Sequence, residues 1–261
     1  MRLALDLATT LLFALAPMLP LWLLSLAKRD ASLIDVWWGP GMAWIAFATA
    51  WVFPDGDPAR RQLVLGLTAL WGLRLGIHLL WRSRGAGEDF RYRAMRARAG
   101  GHFWWQSLGS VFLLQGVLQW IVSLPVQLAL LRPSGGLGAL DALGALLFAV
   151  GFSFESAADW QLARFRADPA NAGRVLDTGL WRTTRHPNYF GDFLVWWGLC
   201  AIGLSVPGGA LGSVGPLLLT FLLLRVSGVP LLERHLGEQR PGYADYARRT
   251  SAFLPRPPRA G

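Results

Sequence analysis

The sequence predicts an all-α membrane protein, a bundle of about seven transmembrane helices with its N-terminus outside and its C-terminus cytoplasmic. Three observations carry this expectation. Hydrophobic residues fill 53% of the 261 positions and charged residues only 16%, well below the ~25% of an ordinary soluble domain. The apolar residues gather in blocks close to the ~20 positions that a helix needs to cross a bilayer. Basic residues concentrate in every second connection between those blocks. Disorder is excluded by the hydrophobicity, and a disulfide scaffold by Cys200 being the single cysteine.

Seven blocks can be marked, at 3–27, 32–53, 62–81, 104–131, 137–160, 190–206 and 214–232. The first is too long for the apolar part of a signal peptide and lacks a small-residue cleavage site, so it reads as a helix. Pro17, Pro20 and Pro125 lie inside blocks, which bilayer helices tolerate when neighbours satisfy the freed carbonyls. With the N-terminus outside, the connections 28–31, 82–103, 161–189 and 233–261 hold 19 Lys and Arg. The opposite side holds four: Arg2, Arg60, Arg61 and Arg132. That asymmetry places the basic side in the cytoplasm. The formal charge of +9 then reports topology and contact with anionic membrane lipids, and no nucleic-acid partner is expected. Residues 1–261 read as a single integral-membrane domain of a bacterial-type inner membrane, with loops 82–103 and 161–189 and tail 233–261 as its cytoplasmic face.

An ionisable group within a spanning helix costs at least ~2.5–3.5 kcal/mol, so each is a functional candidate. Asp35, Arg74, His78, Glu155, Asp159, Asp192, Arg225 and Glu233 all project onto the cytoplasmic half, which predicts a polar cavity open on that side. Arg74, His78 and Arg82 are spaced i, i+4, i+8 and share one stripe of the third helix. Burial raises a carboxyl pKa toward neutrality and an imidazole titrates there. Trp37 and Trp38 are candidates to line a substrate slot. The plainer alternatives are snorkelling of Arg82, Asp159 and Glu233 to the interface, and pairing of Arg74 and Arg225 with Asp35 and Asp192 as structural glue. The four histidines are dispersed, and no metal site is expected.

The densest stretch is residues 179–192, GLWRTTRHPNYFGD, which runs into the sixth block. It offers donors (Arg182, Arg185, His186, Asn188, Tyr189), a proline that fixes the backbone, and Gly191 for close approach. It also feeds a helix N-terminus, whose dipole favours anions. These features suit a phosphorylated or carboxylated cofactor; an interfacial loop anchored by Trp and Arg is the alternative.

GLWRTTRHPNYFGDFLVWWG resembles the C-terminal signature shared by membrane steroid 5α-reductases, enoyl-CoA and sterol reductases, and isoprenylcysteine carboxyl methyltransferases. RPGYADYARRTSAFLPRPP resembles the tail of the same superfamily. DVWWGPG at 35–41 and GEDFRYRAMR at 87–96 are similar to the bacterial reductase-like branch. The resemblance implies a seven-helix bundle that binds NADPH in its cytoplasmic half and passes hydride to a lipid between the helices. By motif position Asn188 and Asp192 would hold the nicotinamide end, with His186 and Tyr189 inside the same signature. Asp192 stands where the 5α-reductase pattern has Glu. Asp159, Arg166 and Arg185 match polar positions that line the nucleotide, and Arg225, Tyr246 and Arg249 match those that close over its phosphates.

The chain departs from the 5α-reductases, which carry a Gln-Glu pair on the second helix and a Tyr on the third. Ile34-Asp35 stands in the comparable place, and tyrosines 92, 189, 243 and 246 all lie outside the third helix. As substitutes for those family residues, Asp35 and His78 would be the catalytic acids, with Arg74 as a fixed cation. The expected activity is therefore NADPH-dependent reduction of an apolar, enone-like or steroid-like lipid, with steroid itself disfavoured. An S-adenosylmethionine-dependent methyltransferase and a non-enzymatic lipid-binding or transport protein stay open as alternatives.

Overall fold

The apolar blocks become helices whose ends are set by local chemistry. The computed structural model describes residues 2–226 and 228–258, without the side chains of Leu231, His235, Glu238 and Gln239. Helices α1 (Arg2–Leu15) and α2 (Met18–Lys28) are one apolar run interrupted at Pro17, where the ring removes a backbone donor. Helix α3 (Leu33–Val52) contains Pro40. Helix α4 (Pro58–Ser83) opens with Pro58 in its first turn, and the Asp57 carboxylate accepts from Arg60 N–H, a strong N-cap. A longer run joins α5 (Phe90–Ala99), α6 (Phe103–Ser107), a π-helical segment (Leu108–Leu113) and α7 (Leu114–Val122). It bends by 54° into α8 (Leu124–Leu131). Then follow α9 (Ala139–Ala167), α10 (Pro187–Gly203), α11 (Val214–Phe221), α12 (Val229–Gln239) and α13 (Tyr243–Arg249). Among the described residues there is no strand, and the β element is an isolated parallel bridge between Thr184 and Ser251.

Four stretches are long and apolar enough to cross a membrane: Arg2–Lys28, Pro58–Ser83, Ala139–Ala167 and Gly209–Val226. The bent run ending at Leu131 makes a fifth if it is one span. The remaining two expected blocks are helical but fall outside that group. Helix α3 is diluted by Asp35, Pro40 and four tryptophans, and α10 has only 17 residues.

The chain forms two compact units, Met1–Gly138 with Ile202–Val214, and Ala139–Ala201 with Gly215–Gly261. In the first, α3 and α4 run antiparallel in close contact. A Cβ added at Gly39 would strike the Gly72 carbonyl, and one at Gly76 would lie 2.5 Å from the Pro40 ring. Lipid tails are as apolar as leucine, so helices in a bilayer gain from such backbone approach where small residues permit it. Arg61 closes one end of the unit by donating to the carbonyls of Phe53, Ala50 and Leu130, acceptors that the C-terminal turns of α3 and α8 leave open. Between α1 and the α7–α8 bend, Thr10 Oγ1 donates to Gln127 Oε1 at 2.6 Å, and Gln127 Nε2 donates to Trp120 O and Ser123 Oγ, both at 2.8 Å.

The second unit rests on the same device. A Cβ on Gly198 would lie 2.6 Å from Gly144 O, and one on Gly191 would lie 2.6 Å from Gly151 O and 2.5 Å from Glu155 N. The two glycines on α9 and the two on α10 are each seven residues apart, two helical turns. The helices therefore touch backbone to backbone at two levels. Aromatic contacts fill the flanks, with Phe190 and Phe193 each edge-on to Phe253 at 5.9 and 5.6 Å between ring centres.

Gly39→Ala should destabilise the purified protein by about 1–3 kcal/mol through overpacking. Gly66→Ala on α4, where nothing stands within 4 Å of an added Cβ, should hold or raise the melting temperature in the same detergent.

Candidate functional site

The 179–192 stretch, a short 3-10 turn leading into α10, is tied to the tail. Gly179 turns with φ +60° against the Gln161 side chain, whose Oε1 accepts from Leu180 N–H at 3.0 Å. Trp181 Nε1 donates to Ala158 O at 3.1 Å. From the other side, Tyr246 OH donates to Trp181 O at 2.6 Å, Thr184 Oγ1 to Phe253 O at 2.8 Å, and Arg185 N–H to Ser251 O at 2.9 Å. Arg256 N–H reaches Thr183 O at 3.0 Å. The tail thus lies along the motif as a second strand of backbone.

Arg185 ties this arrangement together. Its Nε donates to Glu233 Oε1 at 2.7 Å and its Nη1 to the carbonyls of Ala247 and Thr250 at 2.8 and 2.7 Å. Buried His186 stacks on Tyr189 at 5.4 Å and brings Nε2 within 3.3 Å of the same Glu233 oxygen. Burial alone would raise the Glu233 pKa, but hydrogen bonds from His186 and Arg185 outweigh it and hold the carboxyl below its ordinary 4.5. Tyr243 is pushed up to about 12 by burial, with the Glu233 charge adding to the shift. Burial likewise raises Tyr246. Both phenols are neutral donors at physiological pH.

Beside this zipper lies a polar pocket of about 410 Å³, lined by Asp177, Thr178, Arg182, Tyr246, Arg249, Thr250 and Pro258. Two guanidinium groups and three hydroxyls face a space of ligand size. Arg249 keeps Asp177 at 3.8 Å, a loose, exposed pair that an incoming anion can displace. On the helical side of the motif, Asn188 Nδ2 donates to buried Asp159 at 3.3 Å, and Asp192 is half-buried on α10.

The expected cofactor residues therefore separate into groups. Tyr246 and Arg249 line the pocket, Asn188 and Asp159 pair, and Arg185, His186 and Tyr189 form the fastener. Arg166, on the last turn of α9, and Arg225, in the π-helical segment Leu222–Val226, are exposed and do not line the pocket. Sequence reasoning assigns no site role to Asp177, Thr178 or Thr250, and treats Arg182 only as one donor among several. The signal available for them is adjacency to the 179–192 and tail motifs.

The expected catalytic residues belong to the first unit. Asp35 accepts from Tyr92 OH at 2.7 Å and pairs with Arg91 at 2.6 Å. Arg91 also holds Asp89 at 2.8 Å, and Asp89 N–H donates to Ser32 Oγ at 2.7 Å. Glu88 takes both Arg96 nitrogens at 3.0 and 2.8 Å and Ala31 N–H at 2.9 Å. Burial opposes its charge, but those bonds hold its pKa below the ordinary carboxylate range. The DVWWGPG and GEDFRYRAMR motifs are therefore one structural clasp, and Asp35 is its carboxylate. Arg74 and His78 are half-buried on α4, with His78 tilted against Trp81 at 6.3 Å. Trp37 and Trp38 are half-buried on α3.

Glu233→Gln should loosen the tail, because a charge-assisted bond contributes about 1.5–3 kcal/mol. Limited proteolysis between residues 240 and 258 should quicken about tenfold or more. Since the folded carboxyl titrates below 4.5, the stabilisation is complete above that pH and is lost as pH falls through the depressed value. Wild-type protection should fade there, and the variant should lack that step.

Comparison with known proteins gives relatives without an assigned chemistry. An uncharacterised protein of Schizosaccharomyces pombe is 27% identical over 270 aligned positions, covering 90% of this chain and 76% of the relative. No solved structure matches the chain. The family model described as "Protein of unknown function (DUF1295)" matches residues 21–250, so the chain belongs to that family.

Proposed function

We propose that the protein is an NADPH-dependent membrane reductase that transfers hydride to the double bond of an apolar, enone-like lipid. One observation supports this reading: the polar pocket lined by Arg182 and Arg249 together with Asp177, Thr178, Thr250 and Tyr246, built from the motifs that resemble the steroid 5α-reductase superfamily. Forked guanidinium donors suit a ribose phosphate and a pyrophosphate. A pocket of about 410 Å³ fits one phosphorylated half of the dinucleotide. The nicotinamide half is assigned to Asn188 and Asp192, with Asp159 orienting the Asn188 amide through their hydrogen bond.

When bound, NADPH supplies hydride to one carbon of an activated double bond. The chain's own part is to hold, dry and polarise. Arg185 and Glu233 keep the motif and tail in register, so that Arg182 and Arg249 converge on the phosphates. Within the first unit, His78 is assigned as a proton donor and Arg74 as a fixed cation. Asp35 positions the loop through Arg91 and Tyr92.

The seven-span reading belongs to this proposal, with α3 and α10 as the spans of lower hydropathy. So does the orientation, N-terminus outside and C-terminus cytoplasmic in a bacterial-type inner membrane, supported by the distribution of 19 basic residues against four.

Titration of detergent-purified protein with NADPH, NADH and S-adenosylmethionine in parallel tests the reading, using energy transfer from the 14 tryptophans to reduced nicotinamide. NADPH should bind saturably. Arg182→Ala and Arg249→Ala should each weaken it about tenfold or more, since hydrogen bonds to charged groups contribute about 1.5–3 kcal/mol. NADH should be affected less if either arginine meets the 2′-phosphate. Saturable binding of S-adenosylmethionine alone would move the chain to methyl transfer.

A further inference from the structure

The first unit holds two buried glutamines that are treated very differently. Gln127 has every amide group satisfied, by Thr10, Trp120 and Ser123. Gln119, on α7 before the bend and 0% exposed, has no hydrogen-bond partner at Oε1 or at Nε2 among the described residues. Trp37 Nε1, on α3, is likewise buried and unpartnered. Buried polar groups are paired in the great majority of cases, because an unmade bond leaves the full desolvation cost standing. Two unpaired groups side by side are therefore a specific arrangement.

They are side by side because of Gly41. A Cβ there would overlap Gln119 Oε1 and lie 2.7 Å from Trp37 Nε1, so both groups crowd onto the bare backbone of α3. Each part of the GPG sequence thus meets a different neighbour, since Gly39 and Pro40 face α4 while Gly41 faces Gln119. The run that carries Gln119 also contains the π-helical segment Leu108–Leu113, a local change of pitch of the kind often kept at functional sites.

We propose that Gln119 and Trp37 form the polar anchor for an uncharged oxygen, a ketone or hydroxyl, of an otherwise apolar lipid ligand. The inference rests on the reductase reading only for the class of ligand, and the anchor itself lies within the first unit. With the amide turned so that Nε2 takes the place of Oε1 beside the indole, a ketone oxygen accepts from Gln119 Nε2–H and Trp37 Nε1–H together. A hydroxyl donates to Gln119 Oε1 and accepts from the indole. The unpaired groups are neutral, so the anchor selects against carboxylates and phosphates, whose charge would stay uncompensated there. Gln119 is enclosed, and of the partly exposed Trp37 the Nε1 atom is buried beside it.

Photolabelling of the full chain with 4-dodecylbenzophenone, an apolar aryl ketone, tests the anchor without any cofactor. Label should map by mass spectrometry to peptides containing Trp37–Gly41 or Gly116–Gln119. Excess nonadecan-2-one should suppress it and nonadecane should not. Gln119→Leu and Trp37→Phe should each cut labelling about tenfold, as loss of a buried hydrogen bond predicts. The Gln119→Leu melting temperature should hold or rise, because leucine removes an unpaired amide. Labelling elsewhere, equal competition by the hydrocarbon, or undiminished labelling in both variants would overturn the proposal. So would a lowered melting temperature in Gln119→Leu with labelling intact, which marks a structural amide. If that variant does not fold, Trp37→Phe decides. NADPH titration of the same preparation is read separately, so the anchor and the reductase reading can fail independently.

Discussion

Backbone-to-backbone contact between helices is the constraint on which everything else here depends. Within a bilayer, burial of apolar side chains gains little over contact with lipid, so association rests on dispersion at close range. Gly39 against Gly72, and Gly144 and Gly151 against Gly198 and Gly191, supply that range in the two units. The polar features are placed by these contacts. The Gly191 approach sets Glu155, and one turn on Asp159, beside the start of α10. The Gly39–Pro40–Gly41 sequence turns one face of α3 to α4 and the other to Gln119.

Polar chemistry then divides by location. At the Arg-rich ends, charges are paired and serve as fasteners: Asp35 with Arg91, Glu88 with Arg96, and Arg185 with Glu233. Charged groups left with solvent access, Arg182 and Arg249, converge on a pocket instead. Deeper in the first unit the unpaired groups are neutral, Gln119 and Trp37.

Much of the fold was legible in the sequence. Apolar blocks within a few residues of the marked ends became helices because block length and hydropathy are local properties. The failures have physical causes. Block 104–131 held no hint of its 54° bend beyond Pro125, because a proline shows that a helix can bend and neighbours decide how far. Helix α3 falls outside the long apolar group because Asp35, Pro40 and its tryptophans lower its hydropathy, and α10 because it has 17 residues. The site was legible in part. The 179–192 motif and Arg249 stood out by density of donors and by resemblance. Asp35 and Arg185 are ion-paired with Arg91 and Glu233, partners that are distant in sequence and so are not legible from local pattern. Gln119 carries no charge, so a search for ionisable groups in spanning helices passes over it.

The zipper between residues 181–185 and the tail also bears on biosynthesis. The 179–192 motif leaves the ribosome well before Tyr246, Ser251 and Phe253, the residues that give it shape. Helices α9 and α10 can already be inserted and paired through their glycines while the motif still lacks its second strand of backbone. The pocket, which needs Arg249 and Thr250, is completed only when translation has passed them. The pocket is therefore the last part of its unit to be assembled, and closing of the tail is the step that completes it.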